Sequence, residues 1–197
     1  MYTPRMNLQN RVKNILLQPA SEWPVIAAEP TDVMGLYRNY ILILAAIPAV
    51  ALFLSIATFF PVGALTGAIA SYVITLVSAF LAAVIIEKLA PSFGSSGDTT
   101  QALKLVAYAS TPSWLAGIFR IVWFISPLAA LIGGLYAIYL FYLGLPVLMN
   151  TPKDKVIPYM LVSALVIIVI TVVLGGIMAA MGFMAGGYGY YGSRRMF

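Results

Sequence analysis

Hydrophobic residues fall in long runs along this chain, and short polar stretches separate them. A helix crossing the hydrocarbon core of a bilayer needs about 20 mostly apolar residues. Five stretches qualify: 40–60, closed by Pro61; 62–86, closed by Glu87-Lys88; 101–125; 126–149, followed by Asn-Thr-Pro-Lys-Asp-Lys; and 156–184. The joints near Pro61 and near Ser126-Pro127 are too short for anything but antiparallel hairpins. The pattern predicts an all-α fold, a polytopic membrane bundle of five transmembrane helices occupying 40–184.

Residues 1–39 follow a different pattern. Leu8, Val12, Ile15 and Leu16 share one helical face, with Arg11, Lys13 and Asn14 off it, and Pro19 ends the run. This predicts a basic amphipathic helix lying on the inner leaflet, the alternative being a helix packed on the ends of the bundle. Trp23, in the short segment that follows, is placed as an interfacial anchor. Between the second and third runs, Asp98 followed by Gln101 has the spacing of a capping box, which starts a helix there. The last residues, 185–197, are Gly/Tyr-rich and predict a frayed extracytoplasmic tail.

Composition confirms the class and removes most chemistry. Only 9% of residues are charged against 62% hydrophobic, where a soluble domain carries about 25% charged residues. With no His and no Cys, the usual zinc, haem and iron–sulfur ligands are missing and no cofactor is expected. Every acid lies at or outside a predicted membrane boundary, so neither paired-carboxylate catalysis nor ion-coupled transport has its usual groups. An enzyme is not expected.

Charge also orients the chain. Arg5, Arg11, Lys13, Arg38, Lys88, Lys104, Lys153 and Lys155 fall in one set of segments, leaving Arg120, Arg194 and Arg195 for the other. That asymmetry predicts a cytoplasmic N-terminus and, with five spans, an extracytoplasmic C-terminus. Were the tail on the same side as the N-terminus, the span count would be even, and 101–125 is the stretch to drop. The net charge of +5 implies contact with anionic lipid rather than nucleic acid.

Two features stand out inside the membrane. In the second run Gly63, Gly67, Ser71, Thr75, Ala79 and Ala83 recur every four residues. Such a small-residue stripe permits close helix approach, read here as packing within the bundle, with a homo-oligomer seam as the alternative. In the third run "AYASTPSWLAGIFR" carries Pro112 near its middle, which removes an amide donor and frees the carbonyl of Tyr108. Ser110, Thr111 and Ser113 stand ready to satisfy the kink. Arg120 and Trp123, further on, are placed as interfacial anchors.

Three segments carry a resemblance. "DVMGL" holds Asp32 and Gly35 before the first run, "AYASTP" holds Tyr108 and Pro112, and "LYAIYLFYLGLPVLMNTPKDK" closes the fourth. In this the chain resembles the Yip (Ypt-interacting-protein) domain family of five-span membrane proteins, in its bacterial branch. The motif residues Asp32, Gly35, Tyr108 and Pro112 are the family's candidates here, while Met34 and Leu36 depart from its first motif. Eukaryotic members bind Rab-type GTPases in vesicle traffic; a bacterium has no Rab cycle, so that role is not carried over. The resemblance implies a multi-pass protein of the bacterial cytoplasmic (inner) membrane. The expected function is a non-enzymatic scaffold or adaptor with an unidentified protein partner. The alternative is a channel or permease for a small neutral solute or lipid, its polar path running through Tyr108, Ser110, Thr111, Ser113, Ser71, Tyr72, Thr75 and Ser78.

Overall fold

The computed structural model describes residues 7–169 together with 172, 173, 175 and 176. Among these residues every regular element is helical. In chain order they are α1 (Leu8–Leu17), α2 (Pro19–Ala28), α3 (Val33–Leu36), a π-turn (Tyr37–Ile41), α4 (Leu42–Ile56) and α5 (Pro61–Leu89), which runs on into a 3-10 turn (Ala90–Phe93). There follow α6 (Thr99–Ala109), α7 (Thr111–Ala116), a 3-10 turn (Gly117–Ile121), α8 (Ser126–Leu148) and a 3-10 turn (Lys153–Lys155). Helix α9 covers 156–169.

Three continuous helical runs among the described residues are long and apolar enough to cross a membrane: Val33–Ile56, Pro61–Phe93 and Ser126–Leu148. The first two outrun their sequence-based limits, because Asp32 caps the first run well before residue 40 and the Glu87-Lys88 pair sits inside the second. A charged pair near a helix end is tolerated when its heads reach the polar layer. The first run also stops at Ile56, short of residue 60.

The stretch 101–125 departs further, since it is not one helix. It divides at Ser110 into α6 and α7 and then tightens into the 3-10 turn. Proline explains the place of the break. Pro112 occupies the first turn of α7, where its missing N–H costs nothing, and the turn before it must end. The Thr111 hydroxyl donates to the carbonyl of Ala107 at 3.3 Å, replacing part of what the break gives up. Irregular backbone at membrane depth survives only where protein encloses it. At the break this holds, for Ala109, Thr111 and Pro112 are buried and α6 packs against α5, α8 and α2, whereas the 3-10 turn beyond is largely exposed. The remainder of the stretch 156–184 beyond residue 176, and the tail 185–197, lie outside the described residues.

The two expected hairpins form. In the first, α4 lies along α5, and two tyrosines tie it at matching heights. Tyr72 donates to the carbonyl of Leu42 at 2.9 Å, and Tyr37 to that of Leu76 at 2.7 Å. In the second, α7 lies along α8. The loop after α5 meets the loop after α8 at one end of the bundle: the Ser96 amide donates to the Met149 carbonyl at 2.8 Å, and Ser95 to the Thr151 hydroxyl at 2.9 Å. Asp98 caps α6 through the Gln101 amide at 2.8 Å, while the Gln101 side chain reaches away to the carbonyl of Ala27 at 3.3 Å.

The N-terminal helices close this end. The apolar face of α1 turns inward as its spacing predicts, with Ile15 buried and Leu8, Val12 and Leu16 packed against the core. It rests on protein: Tyr136 of α8 donates to the carbonyl of Leu16 at 2.6 Å. Helix α1 is therefore packed on the bundle, and Arg11 belongs to its buried face.

Candidate functional site: a buried polar hub beneath the N-terminal helices

Arg11 is 4% exposed and Lys104 3% exposed. Burying an unpaired charge costs several kcal/mol, so each must be answered locally. The Arg11 guanidinium donates to the carboxylates of Glu22 and Glu29, which bolts α1 to both ends of α2. Lys104 reaches out of α6 and donates to the carbonyls of Glu29 at 2.7 Å, Ile26 at 2.9 Å and Ala27 at 3.4 Å. These are the carbonyls a helix leaves unpaired at its C-terminus, where its dipole also favours a cation. A lysine from the bundle core thus caps the C-terminus of α2.

Aromatic rings join the two charged groups. The Tyr108 ring has the Arg11 guanidinium carbon 5.8 Å from its centroid, within cation–π range. Tyr40 packs on its other neighbour side at 4.4 Å between centroids, and Trp23 meets it edge-on at 6.4 Å. The Tyr40 hydroxyl shares a 2.6 Å hydrogen bond with the Thr111 hydroxyl. The π-turn at Tyr37–Ile41 carries Tyr40 into this position; such one-turn insertions recur where a helix must present a side chain off its regular face.

The hub borders a small polar cavity of about 80 Å³, lined among others by Arg11, Glu29, Gly35, Tyr40, Lys104 and Tyr108. Gly35 and Tyr108, one from each sequence motif, therefore meet at one place. Asp32 caps α3 through the Gly35 amide at 2.8 Å. A Cβ on Gly35 would lie 2.6 Å from the Asp32 carboxylate oxygen, so the glycine keeps the cap in place. Pro112, buried beside Thr111, sets the break that brings Thr111 under Tyr40.

Of the other sequence candidates, Trp23 belongs to the hub and the rest lie apart from it. Trp23 is fully buried, so its expected role as an interfacial anchor is corrected. Its indole lies against Gly144, where an added Cβ would sit 2.7 Å from the ring. The stripe on α5 divides. Ala79 and Ala83 are buried, but Gly67 has nothing within 4 Å of a built Cβ and Gly63 only the Phe60 Cβ at 3.8 Å. The Ser71 hydroxyl donates to its own helix at the Ala68 carbonyl, 2.9 Å away. Close packing inside the bundle is thus seen for one half of the stripe and, among the described residues, not at Gly63 and Gly67. Arg120 and Trp123 are exposed, Trp123 to 83%.

Arg11, Glu22, Glu29 and Tyr40 were not singled out by the sequence reading. Spacing held the signal for Arg11, which shares the i, i+3, i+7 face of Leu8 and Ile15. For the carboxylates, the signal is that two of only six acids in the chain lie within one helix length of it. As for bound metals, no three His, Cys, Asp or Glu side chains come together among the described residues.

Comparison with known proteins gives one match. No curated protein and no solved structure matches the chain. The sequence model of the Yip1 domain matches residues 13–175, from within α1 through the described part of α9 and including both motif segments and the hub residues of α2 and α6. The match covers well over half of the 197 residues, and the chain belongs to the Yip1 domain family.

Proposed function

We propose that the protein is a non-enzymatic scaffold or adaptor of a bacterial cytoplasmic membrane, with its N-terminal helices on the cytoplasmic side. Membership of the Yip1 domain family and three membrane-length helices support a membrane protein. The observation that carries the adaptor reading is the fastening of α1 and α2. Arg11, Glu22 and Glu29 are spent inward on one another and the last carbonyls of α2 on Lys104 of α6, which leaves Lys13, Leu17 and Val25 facing outward on a braced platform. The gathering of Lys and Arg at this end supports its cytoplasmic placement. Five crossings, with 101–125 as a broken third and 156–184 as the fifth, complete this reading.

The permease alternative draws less support. Ser71, Tyr72, Thr75 and Thr111, all on its required polar path, spend their hydroxyls on backbone carbonyls. The larger hollows, between α4 and α5 and among α5, α6, α8 and α9, have apolar walls.

Native co-purification tests the adaptor reading. The tagged protein is extracted gently from its own membranes and compared with a Lys13→Glu/Leu17→Asp variant, which alters exposed side chains only. A stoichiometric protein partner held by the wild type and lost from the variant is the expected result. Recovery of the same proteins with both, or of none with either, rejects the platform as a docking face.

A further inference from the structure

We propose that the polar cavity beside Arg11 and Tyr108 binds the headgroup of a zwitterionic aminophospholipid, a phosphate and a primary ammonium carried by one molecule. This goes beyond the adaptor reading and does not depend on it.

Depth comes first. Leu36, Asn39 and Tyr40 line the cavity and lie in the first turns of the membrane-length run Val33–Ile56. The cavity therefore opens where a span leaves the hydrocarbon, which is the level of lipid headgroups. Its volume of about 80 Å³ has room for about three waters at roughly 30 Å³ each, enough for the polar end of a headgroup and not for an acyl chain.

Unspent hydrogen-bonding groups come next. Tyr108 is 7% exposed and lines the cavity, and its hydroxyl makes no hydrogen bond found among the described residues. That hydroxyl is not among the sealed, unpartnered polar atoms of the described residues, so it faces the open cavity, where an incoming group can meet it. Arg11 has five N–H donors and gives one each to Glu22 and Glu29. Glu29 uses one carboxylate oxygen for Arg11, and the other is open to an incoming donor. Asn39 adds an exposed amide at the wall. Donors for a phosphate thus stand beside an acceptor for an ammonium.

Charge balance then selects the ligand. Arg11 and Lys104 are matched by Glu22 and Glu29 within the hub, so a net anion would leave an uncompensated charge in a mostly buried site. A zwitterion adds none. This sets the cavity apart from the rest of the molecule, whose net charge of +5 attracts anionic lipid at the surface.

The test is native mass spectrometry of the full chain. The protein is released from bilayers holding equal amounts of phosphatidylethanolamine, phosphatidylcholine and phosphatidylglycerol with identical acyl chains. Retention of phosphatidylethanolamine over both others by roughly tenfold is expected, the factor one charge-assisted hydrogen bond supplies. Choline cannot donate to Glu29, and glycerol carries no cation. Retention of phosphatidylethanolamine should fall in Tyr108→Phe, which keeps the ring, and in Asn39→Ala, which alters an exposed side chain, because both groups face the shared phosphate; the preference itself, set by the Glu29 carboxylate, should collapse in Glu29→Gln. Added glycerophosphoethanolamine identifies the source: failure to displace the lipid marks a lipid site, and displacement with binding of the soluble molecule marks a site for the free headgroup. Preference for phosphatidylglycerol, equal retention of all three, or unchanged retention in Tyr108→Phe overturns the proposal.

Discussion

Arg11 and Tyr108 stand against each other, the guanidinium carbon 5.8 Å from the ring centroid, although one belongs to the N-terminal helices and the other to the central broken helix. Tyr108 has a second partner in Tyr40, and Tyr40 a third in Thr111. Through this line of contacts the N-terminal helices, the start of the first span and the break in the third stretch become one packed unit.

The Tyr40–Thr111 hydrogen bond is the joint at which asymmetry should appear. Tyr40→Phe leaves Thr111 its bond to the Ala107 carbonyl and should cost about 1 kcal/mol. Thr111→Val strands a buried Tyr40 hydroxyl and should cost about 1–3 kcal/mol. Thermal unfolding of the solubilised protein, with the double variant completing the cycle, measures both. Equal costs that simply add would place the two hydroxyls out of contact.

Two glycines in membrane helices should behave oppositely. Gly144→Ala drives a Cβ to 2.7 Å from both Leu105 and Trp23, and overpacking of this kind costs about 1–3 kcal/mol. Gly67→Ala meets nothing within 4 Å and should stabilise helix α5 by up to about 1 kcal/mol. Melting temperatures of the two variants side by side check this. If Gly67→Leu melts like wild type yet shifts the sedimentation of the protein in detergent to a smaller species, the outward half of the stripe is a seam between copies.

The cap at Asp32 predicts non-additivity. Asp32→Ala loses the hydrogen bond to the Gly35 amide and should cost about 0.5–2 kcal/mol. Gly35→Ala pushes the same carboxylate aside and should cost a similar amount. The double variant should be no worse than the poorer single one, since both remove one interaction. Additive losses in a thermal melt would assign Gly35 a separate role.

The sequence reads well where one local rule decides the outcome. Asp98 announces a helix start by cap spacing, Pro61 and Ser126-Pro127 announce hairpins, and three of the five apolar runs correspond to helices of membrane length among the described residues. It reads poorly where partners come from afar. Trp23 looks like an interfacial residue until Gly144, on a distant helix, opens the slot that buries it. Lys104 looks like a topology signal because nothing near it in sequence indicates that the end of α2 will supply three carbonyls. The third stretch has the length and apolarity of a span, and Pro112 marks its break. That the helix divides at Ser110 and tightens after Ala116 goes with the packing of α6 among α2, α5 and α8, which is a tertiary property.

Amide hydrogen exchange of α1 and α2 in bilayers, in the wild type and in Lys104→Met, tests the central claim most directly. Methionine keeps the length of the side chain and removes the cap on α2. If the bundle fastens these helices, exchange across 8–28 should accelerate by about tenfold or more, a loss of roughly 1.4 kcal/mol of local stability, while α8 remains protected. Unchanged exchange across 8–28 would show that the N-terminal helices hold their place without the hub, and would contradict the account.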